Sequence, residues 1–146
     1  MAESGRLAGL HAVVTGASSG IGRAIAEAYA AEVAAVLLTH RASPASARDV
    51  ADAITTRGGR AQVRQADLAT RDACERLVAA AHEELGRLDV WVNNAGADVL
   101  TGEAASWDWE RKLDALLAVD LKGTVAAPTR RARSCAARSA AGRSST

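Results

Sequence analysis

The sequence predicts an α/β protein in which a parallel sheet is wound on both faces by helices. Three observations predict it. Short apolar runs alternate with longer stretches of helical periodicity, as repeated strand–helix–strand units read. The first two runs are apolar throughout, as expected for strands covered on both faces. A glycine-rich turn joins the first run to the first helical stretch. At 146 residues, with 49% of them hydrophobic, the chain suits one packed domain, and the absence of Phe leaves Val, Leu, Ile and small side chains to build its core.

The first strand is His11-Ala12-Val13-Val14-Thr15. The helix after it is expected from about Ile21 to Glu32, with Ile21, Ala24, Ile25, Ala28 and Tyr29 on its buried face by their spacing. The second strand is Ala34 to Thr39. Ser43-Pro44 then supplies a helix cap and a proline at the first helical position, and Gly58-Gly59 stops that helix after Arg57. A third strand spans Ala61 to Ala66 and ends at Asp67. Thr70 caps a third helix with Ala73, Cys74, Leu77, Val78, Ala81 and Leu85 in one stripe, and Gly86 ends it. The fourth strand, Leu88 to Val92, runs directly into Asn93-Asn94-Ala95-Gly96. A loop over 97–106 leads to a fourth helix that starts near Trp107 and runs past Leu121. Trp107 and Trp109 are expected to anchor that helix, His82 to be a solvated helix residue, and Cys74 to be core.

After Pro128 the composition changes. Residues 129–146 contain only Thr, Arg, Ala, Ser, Cys and Gly, which cannot bury enough surface to offset the entropy of ordering. The expected organisation is therefore a folded unit over 1–128 and a disordered tail over 129–146. That tail holds five of the 18 basic residues and no acid, so 1–128 carries 13 basic against 17 acidic residues, a net of −4. A mildly acidic body offers no specific nucleic-acid footprint. Cys74 and Cys135 are far apart and have no metal-ligand spacing, which points to a reducing compartment rather than a disulfide framework. No apolar run is long enough to span a bilayer, and the amino terminus lacks the pattern of a signal peptide. A soluble cytoplasmic protein is the expectation.

Thr15-Gly16-Ala17-Ser18-Ser19-Gly20-Ile21-Gly22 carries the chemistry. Gly16 allows a tight exit from the strand, Gly20 lets backbone N–H groups approach a pyrophosphate, and Gly22 lets the helix pack close. The helix then presents free N–H groups and a positive dipole end to an anion. This T-G-x-x-x-G-I-G turn after a Val-Val strand resembles the signature of the short-chain dehydrogenase/reductase family. The resemblance implies a Rossmann-type, doubly wound sheet with strand order 3-2-1-4, incomplete in this chain, and a nicotinamide dinucleotide on residues Gly16, Ser18, Ser19, Gly20, Ile21 and Gly22.

At the end of the second strand, Leu38-Thr39-His40-Arg41 holds no acid for the 2′-OH of NAD, whereas the Arg41 fork suits the 2′-phosphate of NADP. NADP is expected over NAD, with His40 able to assist; a solvated loop arginine is the alternative. The family's Asp at the adenine matches Asp67, with the Leu68 backbone beside the ring, although Asp67 could equally bond its own turn. Asn93-Asn94-Ala95-Gly96 matches the family's N-N-A-G segment. Asn93 is expected to bridge neighbouring backbone, with Ala95 and Gly96 lining the riboses.

The resemblance also implies hydride transfer between the nicotinamide and a small alcohol or carbonyl substrate. In the family a Tyr serves as general acid/base, a Lys four residues later supports it, a Ser orients the carbonyl, and a helical Asn holds a relay water. No Tyr-x-x-x-Lys occurs in this sequence; Tyr29 lies on the first helix, Lys112 and Lys122 by the fourth, and Asp120 stands at the Asn position. Glu32-Val33 also departs from the Glu-Gly that usually ends the first helix, and Val33 would resist a left-handed cap. The abrupt Arg/Ala/Ser tail replaces the expected fifth strand, as a frame-shifted or truncated gene end would, and would leave Trp91 on an open sheet edge. The reading is thus the cofactor-binding part of an NADP-dependent oxidoreductase, inactive by itself and without the homo-oligomer usual in the family. A non-catalytic NADP-binding module is the alternative. Salt-sensitive, non-specific nucleic-acid binding by the tail ranks last.

Overall fold

The structure, a computed structural model, describes residues 5–32 and 34–126. The expectations for the tail and for Val33 lie outside those residues. The elements run β1 (His11–Val14), α1 (Gly20–Ala31), β2 (Ala35–His40), α2 (Pro44–Thr56), β3 (Arg60–Gln65), α3 (Arg71–Leu85), β4 (Val90–Val92) and α4 (Trp109–Leu116). The strands form one parallel sheet in the order β3-β2-β1-β4, with Val13 opposite Leu37 on one side and Trp91 on the other.

Alternation along the central strands feeds two cores. Val14, Val36 and Leu38 pack with Ala26 and Ala30 of α1 and Val50 and Ile54 of α2. Val13 and Leu37 point the other way, onto Cys74, Leu77 and Ala81 of α3. Covering on both faces explains why these strands read as unbroken apolar runs. β3 is a sheet edge among the described residues; it sets exposed Arg60, Gln62 and Arg64 against half-buried Ala61 and Val63. Charge on an edge opposes unwanted strand pairing.

Helix ends follow their capping chemistry. The Thr70 hydroxyl accepts from Ala73 N–H at 3.3 Å. At the end of α2, Gly58 N–H reaches Thr55 O at 2.9 Å and Gly59 N–H reaches Ile54 O at 3.0 Å, the paired bonds of a Schellman motif, with Gly58 at φ +84°.

Several expectations are corrected. The buried face of α1 is Gly22, Ala26 and Ala30, while Ile21 is 75% exposed and Ala24 and Ala28 face outward. Small side chains let the helix axis approach the sheet, and the larger Ile25 and Tyr29 flank that seam half-buried. His82 is buried, because it continues the α3 stripe one turn after Val78. β2 and β3 each sit one residue from the expected bounds, and β4 begins at Val90 rather than Leu88. The loop over 97–106 contains a 3₁₀ turn at Gly102–Ser106. The fourth helix starts at Trp109, capped by the Asp108 carboxylate, and widens into π-helical turns over Leu117–Gly123. Trp107 does anchor the start, since Arg111 stacks 3.9 Å over its ring, but Trp109 is 67% exposed.

Candidate functional site

The carboxyl ends of β1, β2 and β4 meet where the strand order reverses, the place where open parallel sheets hold ligands. Polar side chains pin the loops there. The Thr15 hydroxyl donates to Val92 O at 3.1 Å and accepts from Asn94 and Ala95 N–H, both at 3.0 Å. The Asn94 amide donates to Thr15 O and Gly16 O, both at 3.0 Å. The Thr39 hydroxyl accepts from Gly16 N–H at 3.2 Å.

This arrangement requires its glycines. Gly16 has φ +64°, and a Cβ there would lie 2.8 Å from the Ala95 Cα. A Cβ on Gly22 would lie 2.5 Å from Gly16 O. By contrast, a Cβ on Gly20 would meet nothing within 4 Å, so space opens in front of the first turn of α1. Ser19, at the cap position, makes no side-chain cap bond. The N–H groups of that first turn are therefore left for another acceptor.

In front of the loop lies a pocket of about 380 Å³. Gly16, Ser18 and Ser19 form one wall, and Thr39, His40 and Arg41 form the next. Asp67 and Leu68 after β3, with Ala95, Gly96 and Val119, complete the lining. The pocket thus unites Gly16, Ser18, Ser19, Arg41, Asp67, Leu68, Ala95 and Gly96 from the sequence expectation. Gly20, Ile21, Gly22, Asn93 and Asp120 are not among its lining residues.

The bridge expected of Asn93 is made by Asn94. Side chains two apart in extended chain share a side, and Asn93 Oδ1 accepts from Trp91 Nε1 at 2.9 Å. Asn94 therefore turns the opposite way, into the β1 loop. The pairing of two Asn hid which one does this; strand parity counted from Trp91 was the usable signal. Thr15 and Thr39 were legible as strand ends only, and their hydroxyl roles appear once β1, β2 and β4 are side by side.

Other groups have defined partners. Asp67 Oδ1 accepts from Ala69 N–H at 3.0 Å, so the own-turn bond is present. Asp120, in the π-helical turns, accepts from Ala97 N–H at 2.9 Å through Oδ1. A Cβ on Gly96 would sit 3.3 Å from that same oxygen. The Gln65 amide donates to Arg41 O at 2.9 Å and ties the loop after β2 to the end of β3. Asp98 lies on the same pocket. Its carboxyl is held below the usual aspartate range by the Thr101 hydroxyl first, then by Leu100 and Thr101 N–H, with Arg41 adding a positive charge. The Cys74 thiol, beneath Leu68, is pushed up by burial and then by the Asp67 charge, which makes it a poor nucleophile. Among the described residues no cluster of His, Cys, Asp or Glu could hold a metal ion, and no helix is long and apolar enough to cross a membrane.

Comparison with known proteins agrees with this geometry. The family model for short chain dehydrogenases matches residues 10–143. An uncharacterized oxidoreductase of Methylorubrum extorquens is 50% identical over 91 residues, 62% of this chain and 37% of that protein. Glucose 1-dehydrogenase 2 of Bacillus subtilis is 36% identical over 121 residues, 81% of this chain and 45% of that protein. A Burkholderia cenocepacia short-chain dehydrogenase solved in complex with NADP superposes with a TM-score of 0.78 at 38% identity, over 88% of this chain and 51% of that one. The chain thus spans about half the length of the solved relative and less than half of the other two.

Proposed function

The chain belongs to the short-chain dehydrogenase family, and from that premise we propose that its pocket binds NADP(H) in preference to NAD(H). We infer that the unit over 1–128 is the cofactor-binding part of an oxidoreductase acting on a small alcohol or carbonyl. Three features support a dinucleotide here. The Ser19–Gly20 turn leaves backbone donors uncapped beside open space. The pocket has the size of a small-molecule site. Its polar groups come from the ends of three neighbouring strands.

In this reading the backbone of Ser18, Ser19, Gly20 and Ile21 holds the pyrophosphate, and Gly22 keeps α1 close behind it. Asp67 and the Leu68 backbone receive the adenine. Ala95 and Gly96 pass beside the riboses, with Asn93 at the start of that segment, and Asp120 fixes its far end through Ala97. The bound nicotinamide supplies the hydride. The preference for NADP(H) rests on Arg41, whose guanidinium suits a phosphate monoester and whose backbone Gln65 holds in place. The single observation that carries the proposal is the pocket joining the Gly16–Ser19 loop to Arg41 and Asp67.

Titrating the 146-residue chain with NADPH and following the fluorescence of the reduced nicotinamide tests it. Saturable binding is expected, and Arg41→Ala should weaken NADPH by about 1.5–3 kcal/mol while leaving NADH unchanged. Equal loss for both nucleotides would remove Arg41 as the phosphate contact.

The alternative reading is a binding module without turnover. NADPH oxidation against a carbonyl panel separates the two: saturable binding with no oxidation supports the module, and oxidation by this chain would refute it.

A further inference from the structure

β3 pairs with β2 and with no other strand among the described residues. Ala66 N–H donates to His40 O on the β2 side. Backbone groups alternate sides along a strand, so those of Ala61, Val63 and Gln65 face outward. The register sets Gln62 beside Leu37, which faces α3, so Arg60, Gln62 and Arg64 share the α3 side of the sheet. Ala61 and Val63, beside Val36 and Leu38, lie on the opposite side, half-buried against the core under α1 and α2.

α3 packs on Val13 and Leu37 of the inner strands, and Arg60, Gln62 and Arg64 stay exposed. Two cavities lie along that side of β3. One, of about 390 Å³, is lined by Arg60, Gln62, Glu84 and Leu85 among others. The next, of about 380 Å³, is lined by Arg64, Arg76, Leu77 and Ala80 among others. Between them they follow β3 from Arg60 to Gln65. Their acids are already engaged: Glu84 is paired with Arg64, and Asp67 accepts from Ala69 N–H. Arg60 and Arg76 make no ion pair among the described residues.

We propose that the β3 edge docks an extended segment of a separate protein whose side chains run acid, apolar, polar, apolar, acid. The outward backbone groups pair with it as one more strand. Its apolar residues cover what Ala61 and Val63 leave exposed. Its two acids fall on the α3 side, one facing Arg60 and the other facing Arg64 and Arg76. Charge selects this occupant. A second copy paired antiparallel would lay Arg60 and Arg64 along the same residues of its partner, and like charges across strands repel. The segment 129–146 carries five Arg and no acid, so it is repelled as well. A six-residue edge buries little area, which makes the complex a transient one. The inference does not depend on the dinucleotide reading.

Anisotropy of a fluorescein-labelled peptide, acetyl-Ser-Glu-Val-Thr-Val-Glu-Ser-amide, titrated with the 146-residue chain reads the proposal. Saturable binding is expected, weakening at least about threefold when NaCl rises from about 50 to about 300 mM. Replacing both Glu by Lys should weaken it at least about tenfold, and so should Pro in place of Val-Thr-Val, which keeps the charges and removes the N–H donors. Arg60→Glu should weaken it about three- to tenfold. Equal affinity for the Pro peptide would mean attraction by charge without an added strand and would overturn the proposal. No saturable binding up to about 1 mM would overturn it too.

Amide spectra of the unaltered, ¹⁵N-labelled chain locate the contact without any variant. The peptide should shift the N–H signals of Ala61, Val63 and Gln65, slow their exchange with solvent, and leave the Gly16–Ser19 loop unmoved. Shifts confined to that loop would put the acids in the dinucleotide pocket and overturn the assignment to the edge. A dimer in sedimentation, with the three amides protected in the absence of peptide, would give the edge to a second copy and equally overturn it.

Discussion

The two sides of β1 are held by different physics. On its β2 side, six residues of β2 are all buried, and α2 adds buried Ala47, Val50, Ala51 and Ile54. On its β4 side, β4 has three residues, each half-buried, and α4 buries none. Trp109, Leu113, Leu117, Leu121 and Val125 recur every four residues along α4 and its continuation, and all five are exposed. Trp91 and Val92 still join the two cores, and polar groups add to that lighter packing: the Thr15 hydroxyl, the Asn94 amide and the Asp120 carboxylate. One wall of the candidate pocket is therefore fixed by dense packing and the other by lighter packing plus a few hydrogen bonds, which lets each wall be broken separately.

The largest effect is expected in the packed half. Leu38→Ala empties a fully buried position and should lower stability by about 2–5 kcal/mol, whereas Leu113→Ala, at a site 41% exposed, should stay within about 1 kcal/mol. Urea unfolding of the full chain checks both; equal losses would mean that the two sides are packed alike.

Gly16→Ala tests the seam between the walls. It places a Cβ against the Ala95 backbone at φ +64° and should cost about 1–3 kcal/mol as well as NADPH binding. Gly20→Ala shares the positive φ but meets open space, so its strain is local and any loss of NADPH from it reports the cradle alone.

The smallest effect concerns Asp98 on the polar wall. Its carboxyl is depressed by the Thr101 hydroxyl and neighbouring N–H groups. A depressed acid contributes stability that is present above the ordinary aspartate range, near about pH 4, and is lost as pH falls through the lower folded value. The wild type should lose slightly more stability than Asp98→Asn across that acid window. Acid titration followed by circular dichroism would show it, and identical profiles would mean that the turn contributes nothing.

The same division explains what could be read from the sequence. The strand order was implied by the family resemblance alone, whereas the glycine turn and the caps Thr70, Gly58 and Gly86 were legible because each depends on local chemistry. The face of α1 was not. Helical spacing picked the stripe Ile21, Ala24, Ile25, Ala28 and Tyr29, whereas contact with the sheet selected Gly22, Ala26 and Ala30 for their small size. The π-helical turns around Asp120 escaped for a related reason, since their register departs from the 3.6-residue spacing that pattern reading assumes. In the pocket, the glycines, Arg41 and Asp67 were marked by residue type. Asn94 and Thr39 became visible only when distant strands met.

Thermal unfolding of the 146-residue chain with NADPH, with NADH and with neither tests the central claim most directly. A ligand held at about 100 times its dissociation constant stabilises the folded state by about 2.7 kcal/mol, so NADPH should raise the Tm by several degrees and NADH, at the same concentration, by clearly less. Superimposable transitions under all three conditions would contradict the assignment of this pocket to a nicotinamide dinucleotide.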